Sequence, residues 1–306
     1  MNKPKKYFGL ALDPIHIGAG GYRLGGVDNT IVREPATNIP KIPGTSLAGV
    51  IREFATIHLM ENDEDCNSKT DKKEKRECAE VKIKPYFGDE TKQGMLRFYD
   101  GQIIFFPVSS IQGTVWITTK ELMEYWLGEI KDENGEKINI PNEIEDEAYA
   151  IKGIDIAKPL NLGWLLLEVQ NDKARKELII PKKLKDFIKR IVIVSDKLFS
   201  HIVNDNLEVR TSVRIDPKTG TAAEGALFTY EAIPRGTVLG FEIAIDTRRD
   251  DKNNVESNVE SLIKNTFPYL KLIGIGGFGT RGFGRMEILT LNEHSQQPPK
   301  GGEQND

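Results

Sequence analysis

Hydrophobic residues along the chain alternate between two periods. Lys6 to Leu12 is a short apolar run of the kind that builds a buried strand. A long polar stretch follows, DPIHIGAGGYRLGGVDNTIVREPATNIPKIPG, rich in glycine and without sustained periodicity. Connections of about thirty residues without secondary structure are uncommon in compact domains and are usually functional or disordered. Leu47, Val50, Ile51 and Phe54 then recur at helical spacing behind Thr45 and Ser46, either of which can cap a helix. Strand-like runs come next at MLRFYDGQIIFFPV and GTVWITT, and Thr118-Thr-Lys-Glu121 reads as a capping box before LMEYWL. Further on, WLLLEVQ predicts a strand, KKLKDFIKR a helix, IVIVS a strand, and SDKLFSHIV a helix capped by Ser195. LEVRTSVRI and GALFTYEAI predict two strands around the turn-rich DPKTGTAAE, with Pro217 and Gly220 suited to a tight tip. TVLGFEIAI is another strand, Asn254 to Leu272 a helix, and Gly284 to Thr290 a last strand. This order predicts an α+β fold around an antiparallel sheet and fits a ferredoxin-like core with large insertions.

Composition describes a globular protein: 39% of the 306 residues are hydrophobic and 29% charged, with a net charge of −4. That charge argues against affinity of the whole surface for nucleic acid. The distribution leaves room for a local site, because residues 1–60 hold seven Lys/Arg against four Asp/Glu, whereas residues 121–150 hold two against ten. No run is long and apolar enough for a membrane span or a signal peptide, so the expected location is the cytoplasm. Cys66 and Cys78 lie in a highly charged segment; they read as free thiols, as a disulfide if the source is a hyperthermophile, or with His58 as part of a zinc site. His16 and His201 read as structural histidines, and Trp116, Trp126 and Trp164 as core residues.

Common catalytic motifs are missing: there is no H-E-x-x-H, no G-x-S-x-G and no phosphate-binding G-x-x-x-x-G-K-S/T. Gly274-Ile-Gly276-Gly-Phe-Gly279 matches the dinucleotide fingerprint G-x-G-x-x-G in letters, but it follows a helix and precedes a strand, so no nucleotide cofactor is expected. Six glycines between Gly274 and Gly284, beside Arg281 and Arg285, suit close approach of backbone amides to a phosphate. Substituting Gly277 or Gly279 is expected to disturb both that approach and an unusual φ. Asp28, in GGVDNTIVREP, is either a turn former or an acid presented to a ligand.

Together, HIGAGG, GGVDNTIVREPATNIPKIPGTSLAG and the terminal GGFGTRGFGRMEI resemble the RAMP superfamily of CRISPR-associated proteins, in particular the backbone subunit of type III RNA-guided effector complexes. LRFYDGQIIFFPVSSIQGTVWITT and EGALFTYEAIPRGTVLGFEI are most similar to the type III-B (Cmr) version. The resemblance implies one RAMP domain over residues 1–292; the stretches at about 61–92 and 129–150 lie outside the resemblance and read as inserts, as does 205–230, and the polar tail at 293–306 reads as disordered from its composition. It implies a ferredoxin-like palm, a hairpin thumb around Val209–Tyr230, and copies stacked along a guide RNA beside other Cmr-type subunits. It implies an endoribonuclease that cuts the paired target RNA at regular intervals, with Asp28 as its catalytic residue and a divalent cation such as Mg2+ or Mn2+ assisting. The RNA-binding set is then Lys41, Thr45, Ser46 and Arg52 around the first helix, Arg210 and Arg214 on the hairpin, and Gly276, Gly277, Gly279 and Arg281 in the glycine loop.

Overall fold

The computed structural model of the protein describes residues 3–20, 27–131, 137–138, 140–141, 144–170, 180–249 and 255–290. The expected tail at 293–306 and the two glycines before Val27 lie outside them. Strand β1 (Lys5–Ala11) leads through the long connection to the two-residue β2 (Lys41–Ile42) and helix α1 (Gly44–Asn62). Helices α2 (Glu64–Asn67) and α3 (Lys72–Phe87) form the first insert. Then follow β3 (Leu96–Phe98), β4 (Gly101–Val108), β5 (Val115–Thr118), α4 (Lys120–Leu127), β6 (Ala148–Lys152), β7 (Leu160–Leu162), β8 (Leu165–Leu167) and β9 (Val169–Gln170). The second half runs α5 (Lys182–Phe187), β10 (Ile191–Ile193), α6 (Asp196–Asp205), β11 (Glu208–Ile215), β12 (Ala222–Ala232), β13 (Val238–Ile245), α7 (Val255–Leu272) and β14 (Met286–Leu289).

The main sheet has the order β14-β1-β13-β4-β5-β10-β6-β9, with β2 added on β4 and β3 on β13. Its first four strands are antiparallel, with β1 paired to β13 from Lys5↔Ile243 to Leu10↔Val238. β10 runs parallel to β5, and β9 parallel to β6, so the whole sheet is mixed. The hairpin β11–β12 is a separate two-stranded sheet, as is β7–β8.

Alternation of side chains in β1 explains why the sheet is buried on both faces. Tyr7 joins the core formed with Leu47, Ile51 and Phe54 of α1 and Val259 and Ile263 of α7. Phe8 points the other way, into the core with Met123 and Trp126 of α4 and Leu184 of α5. No helix among the described residues is long and apolar enough to cross a membrane.

Several local expectations shift. The cap of α4 is Thr119, whose hydroxyl accepts the Leu122 amide at 3.3 Å; Thr118 is buried at the end of β5. Helix α1 starts at Gly44 behind Pro43, with no cap from its own N-cap side chain; the Asp100 carboxylate accepts the Gly44 amide at 2.7 Å instead of Thr45 or Ser46 doing so. WLLLEVQ divides into β8 and β9, because β8 turns back on β7. Trp164 lies at that turn, 78% exposed, with its indole N–H on Asp205, so it is not a core residue as expected from the apolar run. Trp116 and Trp126 are buried as expected. His201 is exposed on α6 rather than packed, and lines a cleft of about 1010 Å³ beside Lys41, Asp100 and Tyr125. The insert at 61–92 is helical: Cys66 and Cys78 are joined in a disulfide, and Ile83 of α3 packs with Ala55 of α1 and Leu262 of α7.

Candidate active site and nucleic-acid interface

The long connection after β1 is laid along the hairpin strand β12. Ile15 and Ile233 exchange both backbone hydrogen bonds, at 2.8 and 2.9 Å. Farther along, Asn29 donates to the Thr229 carbonyl at 3.0 Å and accepts from the Glu231 amide at 3.0 Å. A charged pair fixes this contact. Arg33 Nη2 meets Glu231 Oε1 at 2.9 Å, with both side chains mostly buried, and Glu231 Oε2 also takes the Ile31 amide at 3.3 Å. Arg33 spends further donors on Asn204 Oδ1 and the Ile31 carbonyl, each at 3.1 Å. An ion pair taken out of water is tolerated when its remaining donors and acceptors are satisfied in this way.

Asp28 stands at the end of that ladder, exposed to solvent. Thr229 holds it reciprocally: the Thr229 amide and hydroxyl donate to Asp28 Oδ2 at 2.7 and 3.1 Å, while the Asp28 amide reaches the Thr229 hydroxyl at 3.0 Å. Both bonds from Thr229 fall on one carboxylate oxygen, which orients the group while the residue stays open to water. No other carboxylate, histidine or cysteine belongs with Asp28 in a three-ligand cluster among the described residues.

The glycine loop closes on the same hairpin. The Gly277 amide donates to the His16 carbonyl at 2.8 Å, and His16 Nδ1 lies 2.6 Å from the Glu231 carbonyl. His16 is buried, in agreement with the structural role expected for it. Phe278 is left-handed, with φ 61° and ψ 24°. That conformation costs a non-glycine residue of order 1 kcal/mol, and packing holds it here. Its ring lies 4.8 Å from His16 and 4.7 Å from Tyr230, and Tyr230 lies 5.4 Å from Phe283. The unusual φ expected at Gly277 and Gly279 occurs instead at Gly274, Gly276, Phe278, Gly282 and Gly284. A Cβ on Gly276 would lie 2.3 Å from the His16 carbonyl oxygen, whereas one on Gly279 would meet nothing within 4 Å.

Gly276, Gly277, Gly279 and Arg281 are exposed on this loop. Arg281 spreads over the rings of Phe228 and Phe278 at 5.5 and 5.4 Å, and no carboxylate pairs with it among the described residues. Arg285 is bound to Asp13, and that hydrogen bond holds the Asp13 carboxyl below its ordinary range. Arg210 stacks on Phe283 at 4.6 Å and pairs with Glu208, while the outward face of the hairpin carries Val209, Val213, Ile215 and Leu227, all exposed. The Arg214 side chain lies outside the described residues.

Around α1 the charges are largely satisfied within the chain. Lys41 bridges Glu34 and Asp100 at 2.8 and 2.7 Å, and those hydrogen bonds, Asp100 first, raise its pKa. Arg52 donates to the Gly88 carbonyl at 3.1 Å. Thr45 is exposed on the first turn, and the Ser46 amide returns to the Pro43 carbonyl at 2.9 Å. Thr229, Glu231 and Tyr230 are the site residues that sequence reasoning missed. Their one signal was their place in a strand directly after a turn-rich tip.

The sequence profile of the RAMP superfamily matches residues 10–287. The chain belongs to the RAMP superfamily. Among its RAMP relatives, the CRISPR system Cmr endoribonuclease Cmr4 of Pyrococcus furiosus is 31% identical over 302 residues, covering 92% of this chain and 93% of the relative. The CRISPR system Cms endoribonuclease Csm3 of Methanothermobacter thermautotrophicus is 21% identical over 285 residues, covering 90% of this chain and 79% of the relative. The fold is shared with a chain of the type III-B Cmr-beta complex bound to cognate target RNA (TM-score 0.68, 17% identity, 94% and 96% of the two chains). It is shared also with oligomeric Cmr4 from Pyrococcus furiosus (TM-score 0.60, 24% identity, 94% and 97%).

Proposed function

We propose that this RAMP protein is a backbone subunit of a type III-B CRISPR effector complex, and that it cleaves target RNA paired to the guide. The observation that carries the catalytic reading is the exposed Asp28 carboxylate, held through one oxygen by Thr229 of the hairpin. The extended match to a Cmr endoribonuclease supports it. In this reading β1, α1, β4, β13, α7 and β14 form a ferredoxin-like palm. The strand order β14-β1-β13-β4, with a helix after the first and third of these strands in chain order, supports that reading. The hairpin β11–β12 is the thumb, and its exposed apolar face suits insertion between base steps.

The glycine loop takes the guide backbone. Arg281, stacked on two rings at the exposed surface of the loop, recognises phosphate without reading sequence, as a subunit serving any guide requires. Lys41, Thr45, Ser46 and Arg52 would add contacts at α1 once RNA competes with Asp100 and Glu34 for Lys41. Arg210 and Arg214 would do the same along the hairpin.

For cleavage, the target 2′-hydroxyl attacks the adjacent phosphorus. The O2′–P bond forms and the P–O5′ bond breaks, leaving a 2′,3′-cyclic phosphate and a 5′-hydroxyl. Asp28 takes the 2′-hydroxyl proton, and a solvent proton reaches the departing oxygen. General-base catalysis of this kind is worth about 10²–10⁴-fold. Splaying of the target at the thumb adds alignment of attacking and leaving groups. With no three-ligand cluster around it among the described residues, the Asp28 carboxylate is a poor cage for a metal by itself, but it fits Mg2+ or Mn2+ held jointly with RNA phosphate and water. Such an ion at Asp28 would stabilise charge developing on the phosphate oxygens.

The alternative is a guide-binding scaffold that does not cut. Reconstituted complexes carrying Asp28→Asn or Asp28→Ala separate the two. Loss of cleavage with guide and target binding intact is expected. Cleavage at the wild-type rate in Asp28→Asn would leave the scaffold reading.

A further inference from the structure

The helical insert carries ligands of its own, far in sequence from Asp28. Asp63 caps α2 and accepts the Cys66 amide at 3.1 Å. Asp65 and Cys66 are on α2, and Cys78 is on α3 with its Sγ 3.7 Å from Asp65 Oδ2. Donor atoms of Asp63, Asp65, Cys66 and Cys78 all lie within 4.8 Å of one another. The Cα atoms of the two cysteines are 5.4 Å apart. His58, which the sequence offered as a zinc ligand, is instead hydrogen-bonded to Asn62 and Asn265 and does not belong to this group.

Two sulfurs and two carboxylates make a four-ligand set suited to Zn2+, which binds thiolate at about 2.3 Å and carboxylate at about 2.0–2.2 Å. Magnesium and calcium take oxygen ligands and have no use for the sulfurs. Charge favours the exchange. In the disulfide state two carboxylates face the ammonium of Lys82, which bridges Asp63 and lies 3.5 Å from Asp65. Reduction to two thiolates adds two negative charges, and one divalent ion cancels them, so Lys82 keeps its role as an outer partner of the carboxylates.

We propose that Asp63, Asp65, Cys66 and Cys78 form a redox-gated zinc site, in which Zn2+ replaces the disulfide as the clamp between α2 and α3. A dithiol or phosphine reductant supplies two electrons to the S–S bond and is itself oxidised. Two protons complete the thiols, and Zn2+ then displaces both protons as it binds. The clamp matters to the body of the protein because α3 lies on α1 through Ile83 and Ala55, and Arg76 of α3 grips both oxygens of Glu53 at 2.9 and 2.6 Å.

The test uses the full chain, reduced with a phosphine without oxygen, desalted, and titrated with Zn2+ against a coloured chelator and with Co2+ in the spectrophotometer. The reduced chain is expected to bind one ion, to show thiolate-to-cobalt charge transfer with tetrahedral bands, and to melt at a higher temperature with zinc than without. The oxidised chain is expected to bind none at this site. Cys66→Ser should weaken binding at least about tenfold. Asp65→Asn, at an exposed position that leaves packing untouched, should do the same and alter the cobalt spectrum. Failure of the reduced wild-type chain to hold zinc overturns the proposal. So does wild-type affinity with an unchanged spectrum in both Asp63→Asn and Asp65→Asn.

Discussion

Thr229 donates twice to the same oxygen of Asp28, from its amide at 2.7 Å and from its hydroxyl at 3.1 Å. The acid and the hairpin therefore form one unit. Movement of β12 carries Asp28 with it, and the buried Arg33–Glu231 pair two residues beyond Thr229 keeps the connection from peeling away. A hairpin that displaces a target base would also set the carboxylate against the neighbouring phosphate.

Thr229→Val keeps the amide bond to Asp28 and loses the hydroxyl. A hydrogen bond to a charged group is worth about 1.5–3 kcal/mol. Cleavage by the assembled complex is expected to fall about tenfold or more, with guide and target affinity unchanged, and Thr229→Ser should restore most of it. Equal rates for the valine and serine variants would show that the hydroxyl does not position Asp28.

In the glycine loop, the structural positions and the positions proposed to bind RNA separate. Gly276→Ala should lower stability by about 2 kcal/mol or more, because φ is +88° and the new Cβ would strike the His16 carbonyl. Gly279→Ala should leave thermal unfolding unchanged. Arg281→Ala should weaken guide binding equally for unrelated guide sequences and reduce the salt slope by roughly one unit. A loss that depends on guide sequence would mean the loop reads bases.

The hairpin tip is a defined turn: the Asp216 amide meets the Thr221 carbonyl at 2.8 Å, and Asp216 Oδ1 takes the Lys218 amide at 2.8 Å. Replacing Asp216–Glu224 with Asn-Gly should leave circular dichroism and melting intact. The ladder of target products on a denaturing gel should fade or lose its regular spacing, although Asp28 is unchanged. A wild-type ladder from a folded, assembled variant would place the thumb elsewhere.

Acid should destabilise the protein through a shared set of carboxylates. Hydrogen bonds from Arg285 and Lys82 hold Asp13 and Asp63 low, and the Thr91 hydroxyl with neighbouring amides holds Asp89 at about 2. Burial pushes Asp100 and Glu287 up, but Lys41 with the Gly44 amide, and Lys183 with Lys271, outweigh it and hold both below ordinary values. A folded-state value below the unfolded one stabilises above the unfolded pKa, about 3.9 for Asp and 4.3 for Glu, and that stabilisation is lost as pH falls through the folded value. Urea titrations should give constant stability above about pH 5 and a steep decline towards pH 2. Asp100→Asn should cost about 1 kcal/mol at neutral pH and make the decline shallower. Stability that rises on acidification would contradict this account.

What the sequence determined by itself is what short-range chemistry controls. The apolar run of β1, the helical spacing of Leu47, Ile51 and Phe54, the Ser195 cap of α6 and the two strands around Pro217 and Gly220 needed no distant partner, and each stands where expected. The family, too, was legible in GGVD and the terminal glycine loop. The remainder was decided by tertiary structure. Asp100 caps α1 from 56 residues away. Trp164 sits in a hydrophobic run yet stays in solvent, because β8 pairs back on β7 instead of entering the main sheet. Arg210, which sequence placed on the hairpin, stacks on Phe283, and that ring reaches it only because the glycine loop folds over the hairpin. Asp28 meets Thr229 across 201 residues of chain. Periodicity reports which face of an element is apolar; it carries no term for which remote strand or loop completes that face, and the site is made of such completions.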